Sequence, residues 1–341
     1  MSGRSVFLIG PGFIGGEILE ILLKEGYEVT TLIRRESAAA GFHERGIRTV
    51  IATLDDKDSI QEQVAVSDIV FHTATADHLP SAQAVLAGIK QRASQGKQTI
   101  YIHTSGTSLL SDDSAGSFKN DKIFDDEKPE DIDALPDTAP HRQIDLAILR
   151  ERRELGTKAK IALMIPPLIY GVGRENRLSI QLPTLTRYSL KHGYAGKIGE
   201  GRSVWSQVHV KDLARGYIVL LHWMEGTSAD EVLENPYFFC ENGRELSWHT
   251  CAVDIGIALQ KAGRIQDPTP KTIPSENYRD VFAEFSEAVV GSNSRSRANR
   301  LRRLGWEPQE KETLASLAED EIPLVLTETE PFEGYKKAVA S

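Results

Sequence analysis

Cysteine is nearly absent from this 341-residue chain: Cys240 and Cys251 are the only two. A fold built on disulfides is thereby excluded, and a reducing compartment is the natural setting. Positive charge is in the minority. Forty Lys and Arg face 49 Asp and Glu, for a net charge of −9. That balance predicts no nucleic-acid partner and no anionic membrane partner. No apolar run approaches the roughly 20 residues that span a bilayer. Neither the cysteines nor the histidines show metal-ligand spacing, so no metal site is expected. The sequence has no internal repeat and no low-complexity tract. Its first apolar run begins almost at Met1, which leaves no room for a signal or transit peptide and predicts a cytoplasmic protein. What remains is an ordinary soluble composition, 40% hydrophobic and 26% charged, long enough for one large domain or two moderate ones.

The most informative stretch is residues 5–16. Val6 to Ile9 is a short apolar run, of the kind a strand buried on both faces shows. Gly10, Gly12 and Gly15 follow with G-x-G-x-x-G spacing and enclose Phe13 and Ile14. The pattern then switches to helical period with Ile18, Leu19, Leu22 and Leu23, closed by Gly26. Strand, glycine turn and helix together give the motif its meaning. Gly10 permits the tight turn, Gly12 lets the backbone approach a pyrophosphate, and Gly15 lets the helix lie on the strand. The helix N-terminus offers free N–H groups to the phosphates. The plain alternative is an ordinary tight turn.

A second strand, Glu28 to Ile33, ends at Arg34-Arg35. An acidic residue there would suit the ribose 2′-hydroxyl of NAD. Two guanidinium groups suit a 2′-phosphate instead, and so point to NADP(H). A solvated arginine pair at a helix start is the alternative. Strand 48–52 leads to Thr53-Leu54-Asp55, residues placed to flank an adenine. Strand 68–72 ends at Thr73-Ala74-Thr75, where small residues leave room for ribose and diphosphate. Helix 79–95 carries Leu79, Ala82, Val85, Leu86 and Ile89 on one face. Strand 99–103 runs into Thr104-Ser105-Gly106-Thr107-Ser108. Repeated strand–helix units predict an α/β fold, a doubly wound parallel sheet of Rossmann type with ligands beyond the carboxyl ends of its strands. Residues 109–138 read as a long surface loop over the cleft, with mobility allowed. Helix 140–155 and strand 160–165 follow, then Pro166-Pro167-Leu168-Ile169-Tyr170-Gly171. The composition changes near residue 174. This predicts a dinucleotide-binding domain over 1–173 plus about 204–235, and a substrate-binding lobe over 174–203 and 236–341.

These pieces resemble the short-chain dehydrogenase/reductase superfamily, on its extended or atypical side, and are similar to epimerase/dehydratase-like proteins of fungi. The resemblance rests on the Gly10–Gly15 turn, Leu54-Asp55-Asp56, His72-Thr73-Ala74, Thr104-Ser105-Gly106-Thr107, Pro166 to Gly171, Val208-His209-Val210-Lys211-Asp212-Leu213 and Leu304-Gly305-Trp306-Glu307-Pro308. It spans most of the chain and is specific for the fold, not for a substrate. It implies cofactor contacts at Thr53, Leu54, Thr73, Ala74, Thr104, Pro166 and Ile169, and allows a homodimer through the helices after the fourth and fifth strands.

One departure stands out. Enzymes of that superfamily carry Tyr-x-x-x-Lys on the helix after the fifth strand, and a Ser or Thr at that strand's end. Here His141 stands at the tyrosine position and Asp145 at the lysine position. The serine position is Ser105 or Gly106, depending on how the turn is aligned. His141 and Asp145 lie four apart on one helix face. A histidine acts as general acid near neutral pH, and Asp145 would orient it. Ser105 or Thr107 would donate a hydrogen bond to the substrate oxygen. The alternative for both His141 and Asp145 is an ordinary polar pair at a helix start. Tyr170, Trp205 and Tyr188 are candidates for a substrate pocket, with core packing as the default. Asp212 reads as a structural residue at a helix start. The expected function is an NADP(H)-dependent oxidoreductase acting on a small-molecule carbonyl or alcohol. Two other readings stay open: a non-redox isomerase, cyclase or lyase on the same fold, and a non-catalytic NADP(H)-sensing protein.

Overall fold

Seven short strands, nearly all of whose central residues are apolar, assemble into one parallel sheet because both of its faces are covered by helices. The computed structural model describes residues 3–335. The strands are β1 (Ser5–Ile9), β2 (Glu28–Ile33), β3 (Arg48–Ile51), β4 (Ile69–His72), β5 (Thr99–Thr104), β6 (Ala159–Ile165) and a late strand, Tyr237–Phe239. From one edge the order is Tyr237–Phe239, β6, β5, β4, β1, β2, β3, and every pairing is parallel. Chain order reverses between β1 and β4, and the crevice at that point is where such sheets bind ligands.

The period-2 alternation of the strands divides the core. Val6, Leu8, Phe71, Ile102 and Met164 face one side, where they pack on helix α1 (Phe13–Lys24) and on a long helix, Val210–Gly226. Phe7, Ile9, Val70, Tyr101 and Leu163 face the other side, against α2 (Lys57–Ala65), α3 (Leu79–Ser94) and α4 (Arg142–Leu155). Ile144 and Ile148 are buried in this second layer. Both pack within the chain's own core.

A smaller lobe has its own core around Leu182, Leu185, Tyr188, Trp205, Trp248 and Ile255. It is built on a three-stranded sheet in which Val204–His209 pairs parallel with Leu168–Tyr170 and antiparallel with Glu245–Ser247. Helices Gln181–His192 and Trp248–Lys261 flank it. Two boundaries differ from the sequence reading. Tyr237–Phe239 was assigned to the lobe, yet it extends the large sheet beside Leu163–Ile165. Val204–His209 was assigned to the nucleotide-binding domain, yet it pairs within the lobe's sheet.

Residues 109–138 do not form a loose loop. Phe124–Asp125 pairs with Ser296–Arg297, and Pro129–Asp133 is helical. The Asp112 carboxylate accepts from the Asn293 backbone N–H at 3.0 Å, the Asn293 side chain at 3.0 Å and the Ser114 hydroxyl at 2.6 Å. The Gly116 N–H donates to the Gly291 carbonyl at 2.6 Å. The segment is a strap that ties the two halves of the molecule together. Its polar composition serves these cross-chain hydrogen bonds, which is why it resembled a solvated loop.

Candidate active site

The glycine turn after β1 is fixed from beneath. Gly10 has φ +97°, and a Cβ there would stand 2.5 Å from the Ala74 backbone. A Cβ on Gly15 would stand 2.6 Å from Thr73 Oγ1 and closer still to the Gly10 carbonyl. Both positions therefore require glycine. Thr73 donates its hydroxyl to the Gly10 carbonyl at 2.8 Å, so it holds the turn's shape from β4. Gly12 differs: the nearest atom to a Cβ there is Arg177 Nη1, at 3.9 Å. The space above Gly12 is open, and α1 starts at that residue with no side-chain cap. Its first N–H groups have no helical partner and present the positive end of the helix dipole. Phe13 packs against Gly173 and Ile14 against the core, so both offer backbone and not side chain to this space. The turn thus fits a dinucleotide diphosphate: two glycines closed by packing and one left open.

Arg34 and Arg35 stand exposed at the end of β2 and join none of the ion pairs found among the described residues. Thr53 and Leu54 follow β3. The Thr53 N–H and hydroxyl both donate to Asp56, at 2.6 and 2.7 Å, and Leu54 packs on the core. The loop Gly171–Arg177, which sequence reasoning passed over, crosses the glycine turn. The Arg174 N–H donates to the Glu17 carboxylate of α1 at 2.7 Å, which brings Arg177 beside Gly12.

The ends of β4 and β5 carry the polar chemistry. His141 precedes α4 with φ +65°, a left-handed conformation that is uncommon outside glycine. Its Nδ1 lies 2.6 Å from Asp77 Oδ1, and its Nε2 is hydrogen-bonded to the Ser108 hydroxyl. A carboxylate only accepts, so the ring proton sits on Nδ1 toward Asp77, and Nε2 accepts from Ser108. Asp77 comes from the loop before α3 and Ser108 from the one-turn helix Thr107–Leu110. The expected orienting partner was Asp145, and the structure does not place it there. The one-residue step from the cap into α4 turns the Asp145 carboxylate inward, where it accepts from Ser105 Oγ at 2.8 Å. Burial pushes the Asp145 carboxyl up to about 6, against the lowering effects of the Ser105 hydrogen bond and the nearby His141 and Arg142. Its Oδ1 has no hydrogen-bond partner among the described residues.

Other expected site residues are committed elsewhere. The Ser105 hydroxyl belongs to Asp145; the Thr107 hydroxyl, by contrast, is buried with no hydrogen-bond partner among the described residues. Thr104 shares a hydrogen bond of 2.6 Å with Tyr217 in the core. The Pro166 carbonyl accepts from the Thr107 N–H at 3.0 Å, and Ile169 packs on the core. The three aromatic residues offered as pocket lining are interior. Tyr170 donates to the Lys311 carbonyl at 2.8 Å, Trp205 to the Ser292 carbonyl at 2.8 Å, and Tyr188 shares 2.6 Å with Tyr194. Each is at most 5% exposed, so none is available to a substrate. Asp212, read as structural, accepts from the Gln309 and Glu310 N–H groups at 2.8 and 3.1 Å and pairs with Arg215. Asp77 and Ser108 were missed in the sequence. Their signal was position alone, in the loops at the carboxyl ends of β4 and β5.

Known proteins share this architecture. The chain is 30% identical over 331 residues to oxidase ucsJ of an Acremonium species, covering 89% of this chain and 93% of that one. A 114-residue stretch, 30% of this chain and 33% of the other, is 28% identical to 4-hydroxy-2-methyl-3-oxo-4-farnesyl-3,4-dihydroquinoline-1-oxide ketoreductase of Stigmatella aurantiaca. Among solved structures, dTDP-glucose 4,6-dehydratase of Bacillus anthracis in complex with NAD superposes with a TM-score of 0.67 at 14% identity, over 95% of this chain and 97% of that one. At that identity the likeness establishes the fold alone. Residues 6–233 match the model of one family across both the glycine turn and the His141 cluster, and the chain belongs to that family, the NAD dependent epimerase/dehydratase family.

Proposed function

We propose that the protein is an NADP(H)-dependent oxidoreductase acting on a small carbonyl or alcohol. The observation that carries this reading is the open space above Gly12 at the start of α1, with exposed Arg34 and Arg35 at the end of the neighbouring strand. The α1 N–H groups would hold the diphosphate, and Arg34 the 2′-phosphate, by charge and a planar fork of donors. Thr73 keeps the turn in shape from below. A bound nicotinamide would supply or accept the hydride.

The proton is the task of this chain's own residues. Asp77 fixes the orientation of the His141 ring through Nδ1. In reduction the protonated ring gives up its Nε2 proton, directly or through the Ser108 hydroxyl that already faces it, as the substrate oxygen gains electrons. In oxidation the same groups take the proton back. His141 thereby takes over the task that the superfamily resemblance gives to a tyrosine. Ser105 and Thr107 are less suited to touch the substrate oxygen, because one hydroxyl is given to Asp145 and the other is buried. A cytoplasmic setting is part of this reading, and Cys240 and Cys251 are free and buried in keeping with it.

The test is cofactor absorbance: NADPH consumption across a panel of aldehydes and ketones, and NADP+ reduction across alcohols. A substrate whose turnover falls in His141→Ala while NADPH still binds supports the reading. A protein that binds NADPH but transfers hydride to or from nothing in the panel, and instead isomerises or cleaves a compound with the cofactor unchanged, refutes it.

A further inference from the structure

The chain Asp77–His141–Ser108 has the order of a nucleophilic relay: carboxylate, imidazole, hydroxyl. Each nitrogen of the ring faces the partner that such a relay needs. Nδ1 lies 2.6 Å from Asp77 Oδ1, and Nε2 is bonded to the Ser108 hydroxyl. Relays of this kind are recognised by geometry and roles, not by sequence position or fold. We propose that Ser108 is an activated serine that accepts acyl groups from carboxylic esters, an activity that goes beyond hydride transfer and does not depend on it.

Four further observations favour a built site over a chance polar cluster. The residues come from three separate segments, each at the carboxyl end of the parallel sheet: Asp77 after β4, Ser108 after β5 and His141 before α4. His141 is held in a left-handed backbone conformation, φ +65°, which an L-residue keeps only where its surroundings impose it. Gly106 leaves room for the imidazole, since a Cβ there would stand 3.1 Å from Nε2. The ring is neither sealed nor solvated, with its side chain 15% exposed, and Ser108 is half-buried beside it. An ordinary surface histidine has no need of this arrangement.

The step balances without a co-reactant. The Ser108 proton passes to His141 Nε2 as Oγ bonds to the ester carbonyl carbon. The alkoxide leaves and takes that proton, giving an acyl-serine and a free alcohol. Water then attacks with the same histidine as base, and the acid is released. The turn that carries Ser108 sets a limit. The Thr107 N–H is given to the Pro166 carbonyl at 3.0 Å and the Leu109 N–H to the Gly106 carbonyl at 3.2 Å. With these two donors taken, stabilisation of the oxyanion is weak in both acylation and deacylation, so ester turnover should be slow.

The experiment treats the full chain, without nucleotide, with a fluorophosphonate probe and with p-nitrophenyl acetate, and locates the adduct by peptide mass spectrometry. The expected result is a single adduct on Ser108, with a labelling rate at least about 100-fold lower in His141→Ala, the scale of a lost general base. Asp77→Asn, nearly isosteric, should also slow labelling; it carries the test if His141→Ala does not fold. The folded state of each variant is checked by its unfolding midpoint. No adduct on Ser108 in the folded wild-type protein overturns the proposal. An adduct on Ser105 or elsewhere in its place does so too, as does labelling at an unchanged rate in the folded variants.

Discussion

The three glycines of the turn should fail in different ways when each is replaced by alanine. At Gly15 a methyl group would stand 2.6 Å from Thr73 Oγ1 and closer to the Gly10 carbonyl, both parts of a rigid strand-and-turn unit. Overpacking of this kind costs about 1–3 kcal/mol, and more when backbone is the obstacle. At Gly10 the methyl would meet the Ala74 backbone at 2.5 Å, and φ +97° adds the cost of a left-handed L-residue, about 1–2 kcal/mol. At Gly12 nothing lies closer than Arg177 Nη1 at 3.9 Å, so Gly12→Ala should change stability by less than about 1 kcal/mol. That methyl would occupy the space assigned to the diphosphate. Gly12→Ala should therefore unfold at nearly the wild-type denaturant midpoint yet lose most of its affinity for NADPH. Gly15→Ala should lose at least about 2 kcal/mol of stability even without nucleotide. Urea unfolding and fluorescence titration with NADPH measure both quantities on the same samples. If Gly12→Ala binds NADPH as wild type does, or destabilises the fold as much as Gly15→Ala, the space above Gly12 is not the phosphate site.

Other outcomes follow from the same geometry. Arg34→Ala should weaken NADPH binding about tenfold or more, the scale of a lost charge-assisted hydrogen bond, and leave NADH binding unchanged in the same titration. The Asp145 carboxyl is raised to about 6 from an ordinary 3.8, so the folded state holds its proton more tightly than the unfolded chain does. Its contribution is fully present below about pH 4 and is lost as pH rises through about 6, by a total on the order of 3 kcal/mol. Asp145→Asn, which cannot ionise, should be more stable than wild type at pH 8 and should lose that advantage at pH 4, as read by unfolding midpoints across the range. Asp112→Ala should release the strap by removing acceptors of the Asn293 and Ser114 hydrogen bonds. Faster tryptic cleavage at Lys119 or Lys122, with about 1–3 kcal/mol lost on unfolding, would be the sign of it.

The large sheet was legible because parallel strands announce themselves. Val6–Ile9, Ile69–His72 and Thr99–Thr104 are short, almost wholly buried runs separated by helical periods. The lobe was less legible. Tyr237–Phe239 and Val204–His209 exchange places relative to the expected division, since the apolar pattern of a short strand carries no mark of which sheet it joins. At the site, the glycine spacing located the turn, and His141 was singled out by its place in the family pattern. Its partner could not be read the same way. Spacing of four along a helix favoured Asp145, but His141 lies before the first turn with a left-handed backbone, so its ring points across to Asp77, 64 residues away in sequence. Aromatic residues misled for a related reason. Tyr170, Trp205 and Tyr188 have polar atoms that find backbone or side-chain partners inside the lobe, which lets them be buried whole.

The most direct test of this account is a paired titration of the wild-type protein with NADPH and NADH at the same ionic strength. The account predicts saturable binding of both, with NADPH the tighter ligand and its advantage shrinking as salt screens Arg34 and Arg35. Failure of either nucleotide to bind, or a preference for NADH, would contradict it.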